Sequence, residues 1–310
     1  MIEPFRNSYI LTGPTGSGKT PLALELAERL DAEIVCMDSM TLYRGMDIGT
    51  AKPTSEERRR VSHHLLDVLD PWQSSSVAWW LEQAAAHCRQ IEGRGKRVLF
   101  VGGTALYLKA LLHGLFEGPP ADESARQRLV QEAREFGPEV LHRRLQQVDP
   151  IAAERLHPND LRRVIRALEV WSLTGRPLSA WQKQWPSQQQ TTNYELRTTD
   201  KIIYLDLPRK ELYARIDSRV RAMVENGLVE EAQSLLRLPQ PLSKEARQAL
   251  GYKELFEYLE GGADFETTIR SIQTQSRQFA KRQLTWFRNM PQCKPIAREL
   301  AGLAWIAHPQ

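Results

Sequence analysis

The segment GPTGSGKT at positions 13–20 constrains the fold of this chain more than any other feature. It matches the pattern G-x-x-x-x-G-K-[ST], whose backbone N–H groups curl around phosphate oxygens at the start of a helix. The lysine of this pattern neutralises a phosphate, and the final hydroxyl binds Mg²⁺. SYILT before the segment has the required strand pattern, and KTPLALELAERL, which begins at Lys19, has the helix pattern. The predicted phosphate-binding residues are Gly13, Pro14, Thr15, Gly16, Ser17, Gly18, Lys19 and Thr20.

Strand-like and helix-like segments alternate along the N-terminal third of the chain. Short apolar runs recur at AEIVCMD, HHLLDVLDP and KRVLFVGGT, with helical patterns between them. This order predicts an α/β fold, a P-loop NTPase-like parallel sheet core with helices on both faces. From residue 116 to 199 only amphipathic, Arg-rich helical patterns occur, and KIIYLDLP then restores the strand pattern. We therefore predict a core of residues 1–115 and 200–310, interrupted by an all-helical insertion domain at 116–199.

Two side chains near the P-loop are candidates for chemistry. Asp38 follows the second predicted strand, so we expect it at the sheet edge where parallel sheets bind ligands. A carboxylate there acts as a general base or holds Mg²⁺ through water, unless it is a turn residue without a reactive partner. VLFVGGT lacks the acidic residue of motor NTPases, which counts against an ATP-driven machine. Thr104, which follows, is either a ligand contact or a simple helix cap.

Basic residues cluster in two parts of the chain. Four share one face of a long predicted helix, at spacings of 7, 4 and 7 residues: Arg270, Arg277, Lys281 and Arg288. The apolar residues expected to pack that helix on the core are Phe265, Ile269, Ile272, Phe279 and Met290. The second cluster, in the insertion, is Arg162, Arg163 and Arg166. A basic helix often has only a solvated face, but two clusters in a phosphate-binding protein favour a nucleic-acid surface.

Bulk properties limit the class of protein. The 310 residues carry a formal charge of +4 and have an isoelectric point of about 9.0, which permits nucleic-acid binding without requiring it. The three cysteines lack the spacing of a zinc site or a disulfide framework. No apolar run is long enough for a membrane span, and the first strand begins too early for a signal peptide. We expect a monomeric cytoplasmic protein that does not bind membranes.

Six segments of the chain together match the conserved motifs of one known family. In chain order they are GPTGSGKT, DSMTLYRGMDIGTAKP, HHLLDVLDP, RGKRVLFVGGTALYLKALLHGL, RRVIRALEVWSLTG and KRQLTWFR. This series resembles the tRNA dimethylallyltransferases, the isopentenyltransferases that modify adenosine 37 of tRNA. The resemblance covers nearly the whole chain and is to the bacterial type, since the zinc-finger extension of eukaryotic members is missing. Thr41 stands where the family often has Gln, and Ala105 where Gly is common; neither is a catalytic position.

The resemblance implies a reaction in which diphosphate leaves whole. The donor is dimethylallyl diphosphate, and the acceptor is the N6 amine of an anticodon-loop adenine turned out of its stack. Asp38 accepts the N6 proton, while Lys19, Mg²⁺ and the P-loop stabilise the leaving group, with Thr104 also at the catalytic site and Thr20 binding the metal. Arg126 matches a position at the diphosphate and tRNA site. The implied tRNA contacts are Asp38, Ser39, Met40, Thr41, Thr104, Arg126, Arg162, Arg163, Val164, Ile165, Arg166, Arg277, Lys281, Arg282 and Arg288.

Two other functions each explain part of the sequence. A P-loop kinase of a nucleoside or small metabolite accounts for the P-loop, for Asp38 as the substrate base and for an Arg-bearing lid at 209–225 (RKELYARIDSRVRAMVE). It leaves the Arg-rich insertion and the C-terminal basic face unexplained. A non-catalytic, ATP-gated RNA-binding protein accounts for the basic faces but gives Asp38 and Thr104 no role.

Overall fold

A six-stranded parallel sheet forms the centre of the fold in the computed structural model, which describes residues 2–115, 118–182 and 201–297. The strands are β1 (Tyr9–Thr12), β2 (Ala32–Cys36), β3 (His63–His64), β4 (Arg97–Gly102), β5 (Ile202–Leu205) and β6 (Lys294–Ile296). Their order is β3-β2-β4-β1-β5-β6, and each pairing is parallel. Helices cover both faces of the sheet, so the predicted fold class is confirmed.

Helices make the connections between the strands. Those before the helical insertion are α1 (Lys19–Leu30), α2 (Ser55–Arg60), α3 (Val77–Gly93) and α4 (Ala105–His113). Those of the insertion are α5 (Glu123–Phe136), α6 (Pro138–Val148), α7 (Pro150–Arg155), α8 (Leu161–Thr174) and α9 (Leu178–Trp181). The C-terminal third contributes α10 (Arg209–Glu225), α11 (Leu228–Leu236), α12 (Lys244–Arg247), α13 (Tyr252–Leu259) and α14 (Phe265–Arg288). None of the helices in the described ranges has both the length and the apolarity that crossing a membrane requires.

The strand that precedes the P-loop lies inside the sheet. β1 pairs with β4 on one side and with β5 on the other, so that Ile10 is in register with Phe100 and Ile202. All three side chains are fully buried. The Thr12 hydroxyl donates to the Gly102 carbonyl at 2.7 Å and ties the carboxyl ends of β1 and β4 together. The P-loop and the loop after β4 therefore leave the sheet side by side.

The third strand is shorter than its sequence pattern predicts. HHLLDVLDP is a strand only at His63–His64, and the prediction for the rest of this segment was wrong. Leu65 and Asp67 have left-handed backbones, with φ of 57° and 55°, which a strand does not accommodate. Ion pairs with Lys52 and Arg58 hold Asp67 in place. The segment therefore binds the loop before it instead of extending the sheet.

An aromatic pair supports the end of β2. Trp80 of α3 and Tyr107 of α4 stack with their ring centroids 4.2 Å apart, and both are buried. The Trp80 indole N–H donates to the carbonyl of Cys36, the last residue of β2, at 3.1 Å. A buried indole needs such a partner, because its N–H loses water on folding. These contacts fix the point from which the chain enters the Asp38 segment.

The chain divides into two compact units. One consists of Met1–Leu112 and Thr191–Gln310, and the other is His113–Gln190. The second unit contains α5 to α9 and has an apolar core of its own, built from residues such as Leu141, Leu145 and Leu168. The boundaries at 116 and 199 expected from the sequence lie outside the described residues, so they remain predictions.

Candidate active site

The P-loop leads directly into α1, as its sequence pattern predicts. Gly18 caps the helix with a left-handed backbone, φ 83°, which glycine adopts without steric cost. All residues of α1 are described, and its first turn contains no acidic residue and no side chain that caps the backbone N–H groups. Its first N–H groups, those of Lys19 and Thr20, have no partner within the helix by geometry. This end of α1 therefore suits an anion.

Two backbone N–H groups of the P-loop donate hydrogen bonds to other residues of the protein. The Thr15 N–H donates to Oε1 of Gln283 at 2.8 Å, and the Ser17 N–H donates to the Pro14 carbonyl at 3.2 Å. Ser17 is fully buried. Of the eight predicted phosphate-binding residues, Thr15 and Ser17 thus use their backbone N–H groups within the protein.

The pKa of Lys19 depends on two other charged groups near the P-loop. Its Nζ donates to the carbonyls of Gly13 and Pro14 at 2.9 and 2.8 Å. Burial and the positive charge of Arg219 lower the pKa of Lys19 to about 7, while the negative charge of Asp38 acts in the opposite direction. The P-loop lysine, the carboxylate after β2 and an arginine of α10 therefore lie within electrostatic range of one another.

Asp38 lies two residues beyond β2, at the carboxyl edge of the sheet. Its Oδ1 accepts the Met40 N–H at 2.9 Å, which orients the carboxylate through a local turn. The Ser39 N–H donates to the Thr104 hydroxyl at 3.2 Å. Thr104 begins α4 through its carbonyl, which accepts the N–H groups at 107 and 108, but its hydroxyl binds the Asp38 segment. Thr104 is therefore more than a helix cap, because it joins the edges of β2 and β4.

Arg219 is a site residue that the sequence analysis missed. It lies in the middle of α10 and is half-buried. Burial lowers the pKa of Arg219, and the charge of Asp38 opposes that effect. The signal in the sequence was the arginine-bearing helix at 209–225, which was assigned only to the kinase alternative. Its periodicity did not show which of its arginines faces the P-loop.

Gln283 is a second residue that was missed. It is 4% exposed, whereas its neighbours Lys281 and Arg282 on α14 are exposed. Its Oε1 accepts the Thr15 N–H, and its Nε2 donates to the Gly103 carbonyl at 2.8 Å. The segment KRQLTWFR entered the sequence analysis through the family resemblance, and a glutamine among its charged residues gave no sign that it points inward.

The segment YRGMDIGTAKP forms a rigid loop after Asp38. Lys52 has a side chain that is 1% exposed and pairs with Asp47 and Asp67. The Glu231 carboxylate of α11 accepts three successive backbone N–H groups, those of residues 47–49, at 2.9 to 3.1 Å. Buried charges need such partners, since an unpaired one is costly. These contacts fix the conformation of the segment beside the site.

Three residues after Asp38 were predicted to contact tRNA. Ser39 and Met40 are half-buried, and Met40 packs against the core. Thr41 is buried, and its hydroxyl donates to the Asp38 carbonyl at 3.3 Å. A side-chain contact from Thr41 to tRNA is not supported, because its hydroxyl is used in the turn that carries Asp38.

The basic residues of α14 differ in their surroundings. Lys281 and Arg282 are exposed. Arg277 is paired with Asp217 of α10, and Arg288 with Asp206 after β5. The predicted core position of Phe279 was wrong, because it is half-buried under the Arg282 guanidinium, 5.9 Å from the ring centroid. Lys281 and Arg282 therefore present the more accessible charge.

The arginines of the helical unit also differ from one another. Arg162 and Arg163 are exposed, and Arg163 pairs with Asp160 at 2.7 Å. Arg126 and Arg166 both bind the carboxylate of Glu169, which is completely buried. Both arginines therefore neutralise a buried charge within this unit, whatever else they contact.

Val164 and Ile165 require a correction. Both were expected to contact tRNA, but they are 0% and 6% exposed and belong to the core of the helical unit. The resemblance covered a continuous helical segment, and a helix alternates buried and exposed residues every three to four positions. Their side chains hold α8 in place instead of facing a ligand.

No group of three or more His, Cys, Asp or Glu side chains within residues 2–115, 118–182 and 201–297 is arranged to hold a metal ion. The oxygen donors predicted for Mg²⁺, Thr20 and Asp38, lie at the helix start and the strand end described above. These are hard ligands, and Mg²⁺ in phosphate sites is held by few protein atoms together with the phosphates and water.

Comparisons with known proteins decide the family. A family model described as IPP transferase matches residues 41–290, and one described as isopentenyl transferase matches residues 6–68. The chain belongs to the IPP transferase family. The resemblance found in the sequence is thereby confirmed.

Relatives of this IPP transferase family member match it over most of their length. A tRNA dimethylallyltransferase of Geobacter metallireducens is 48% identical, covering 90% of this chain and 88% of its own. The crystal structure of a tRNA isopentenylpyrophosphate transferase from Bacillus halodurans is 41% identical with a TM-score of 0.65, covering 94% and 90%. A eukaryotic dimethylallyltransferase acting on tRNA is 26% identical with a TM-score of 0.72, covering 94% and 74%.

Proposed function

We propose that this protein transfers the dimethylallyl group of dimethylallyl diphosphate to N6 of adenosine 37 in the tRNA anticodon loop, with release of diphosphate. One observation carries the proposal: the charges of Lys19 of the P-loop, Arg219 of α10 and the Asp38 carboxylate after β2 act on one another at the carboxyl edge of the sheet. The cations suit a diphosphate, and the carboxylate suits an amine that must lose a proton. Family membership supports the same reaction.

The chain's own residues divide the chemistry between them. The N6 lone pair forms a bond to C1 of the dimethylallyl group while the C1–O bond breaks, and its electrons leave on the diphosphate. Lys19, Arg219 and the first N–H groups of α1 stabilise that developing charge, and they are already in place before the reaction. Asp38 takes the proton that N6 must lose. Thr104 positions the Asp38 segment through its bond to Ser39.

Mg²⁺ fits this site through the Thr20 hydroxyl and, through water, the Asp38 carboxylate. When bound, the ion neutralises phosphate oxygens of the donor. Both side chains offer hard oxygen atoms, and Thr20 is half-buried at the opening turn of α1.

Exposed basic residues of each unit are proposed to contact tRNA. In the core unit these are Lys281, Arg282 and Arg288, with Arg277 contributing from its ion pair. In the helical insertion, residues 116–199, they are Arg162 and Arg163, with Arg126 and Arg166 bound to Glu169. Such residues bind phosphates along the RNA and set its position, while the adenine itself is read in the site.

The test is a transfer assay with two labels. The protein is incubated with Mg²⁺, unmodified tRNA and either prenyl-labelled dimethylallyl diphosphate or γ-labelled ATP. We expect label in tRNA from the prenyl donor alone, at adenosine 37. Phosphate transfer from ATP to a small acceptor would instead identify a kinase, and tRNA binding without any transfer would identify a binding protein.

The salt dependence of tRNA binding tests the α14 surface. Replacing both Lys281 and Arg282 with glutamine should weaken tRNA binding and reduce the slope of log K against log salt by about 1 to 2, since each lost phosphate contact reduces it by roughly 0.7–0.9. The matched control replaces Arg59 and Arg89, two exposed arginines of α2 and α3, with glutamine and changes net charge equally. Equal slopes for both double variants would show that Lys281 and Arg282 are solvated surface residues that do not contact tRNA phosphates.

A further inference from the structure

A buried glutamine connects two loops of the proposed site. Gln283 extends from α14 so that its Oε1 accepts the Thr15 N–H and its Nε2 donates to the Gly103 carbonyl, both at 2.8 Å. The two partners fix the orientation of the amide, because one is an obligate donor and the other an obligate acceptor. Gln283 therefore joins the P-loop to the turn after β4.

On the P-loop side, Gln283 and Lys19 hold the same peptide group. The peptide between Pro14 and Thr15 donates its N–H to Gln283 and accepts the Lys19 ammonium on its carbonyl, each at 2.8 Å. Rotation of this peptide would break both bonds together. The glutamine thus controls the orientation of the carbonyl that binds the lysine of the diphosphate site.

On the other side, Gln283 reaches the residues next to the carboxylate. Gly103 precedes Thr104, whose hydroxyl accepts the Ser39 N–H. A side chain at Gly103 has no room, because a Cβ there would lie 2.4 Å from the Gln283 Nε2 and 3.2 Å from the Gly13 carbonyl oxygen. The close approach of amide and backbone therefore depends on glycine at this position.

We propose that Gln283 is a positioning residue that holds the P-loop in the form that binds diphosphate and keeps it in register with the Asp38 edge. The proposal rests on the function proposed above, because it assigns Gln283 to the donor side of that reaction. An amide suits the task because it offers an acceptor to Thr15 and a donor to Gly103. Glutamate would place a carboxylate oxygen against the Gly103 carbonyl, and leucine would leave both backbone groups unpaired.

The test replaces Gln283 with leucine and measures binding of inorganic diphosphate by calorimetry. If the competent P-loop falls to about 1–10% of the population, the Kd rises roughly tenfold to a hundredfold. In turnover assays the KM for dimethylallyl diphosphate should rise by a similar factor, while kcat at saturating donor and the Kd for tRNA stay within about threefold.

The matched control is Gln273→Leu. Gln273 is a buried glutamine of the same helix, and its Nε2 donates to the Asp217 carbonyl at 3.2 Å, on α10 and not on the P-loop. We expect Gln273→Leu to lower Tm while leaving the diphosphate Kd at its wild-type value. A Gln283→Leu protein that loses only Tm, like this control, overturns the proposal, as does one that loses tRNA affinity alone.

Two further variants test the proposal if the Gln283→Leu protein does not fold. Gln283→Glu keeps the acceptor for Thr15, and Gly103→Ala displaces the amide by its Cβ; each should raise the diphosphate Kd. Wild-type affinity in a folded form of both variants rejects the role of Gln283. If wild-type protein binds neither diphosphate nor dimethylallyl diphosphate, the proposed function fails as well, and the two failures are thereby distinguished.

Discussion

Replacing Asp38 with asparagine lowers kcat by about 10²–10⁴, the usual contribution of a general base, while the affinity for tRNA stays near its wild-type value. Asparagine keeps an oxygen that accepts the Met40 N–H, so the turn after β2 persists. It removes the ability to take a proton, together with the negative charge. The measurement is single-turnover transfer of the labelled dimethylallyl group to tRNA, with tRNA binding followed separately.

Donor concentration matters in this experiment because Asp38 also acts on Lys19. Its negative charge opposes the fall in the pKa of Lys19, so the variant has a less protonated lysine at neutral pH. Saturating donor removes the part of that effect that acts on donor binding. Asp31→Asn is the control, since Asp31 is an exposed carboxylate directly before β2, at the opposite edge of the sheet. Unchanged turnover in Asp38→Asn would remove Asp38 from the mechanism.

Replacing Arg219 with methionine lowers kcat/KM by about 10²–10³, the range found when one preorganised charge-stabilising donor is removed. Methionine retains most of the side-chain volume but cannot stabilise the diphosphate. The control is Arg215→Met, one turn earlier on α10, where the guanidinium pairs with Glu211 at 2.7 Å. Equal activities of the two variants would show that Arg219 does not act on the donor.

A pH series separates the electrostatic role of Arg219 from loss of packing. Wild-type affinity for dimethylallyl diphosphate, measured with EDTA present, should fall as the pH rises through about 7, because Lys19 loses its proton there. Arg219 is one cause of that lowered pKa, so Arg219→Met should move the midpoint to higher pH. Arg215→Met should leave it unchanged. A common midpoint in all three proteins would contradict the interaction between Arg219 and Lys19.

The sequence was informative where the function depends on neighbouring residues. The P-loop combines a strand, a glycine-rich turn and a helix start in one short segment, and Asp38 follows a strand whose direction the parallel order dictates. These features are local, or follow from one rule about parallel sheets. The parallel sheet, the P-loop and the position of Asp38 at the sheet edge were therefore predictable from the sequence.

Residues that reach the site from far along the chain were not predictable in this way. Gln283 is 268 positions from Thr15, and its inward direction depends on how α14 packs against α10 and the core. Arg219 is one of several arginines of α10, and only tertiary structure selects it. Two other predictions failed because residues of one helix have different environments. Val164 was expected on the surface and is buried, and Phe279 was expected in the core and lies half-buried under Arg282.

The dependence of the P-loop on residues that follow the insertion determines when the site can form during synthesis. β1 and the P-loop are translated first, but one edge of β1 stays unpaired until β5 is made. The partners of the 47–49 loop and of Thr15, Glu231 and Gln283, are translated later still. A ribosome-bound chain that ends before α14 thus carries every residue of the P-loop without its final support. We therefore expect fragments that stop after the helical insertion not to bind the proposed donor.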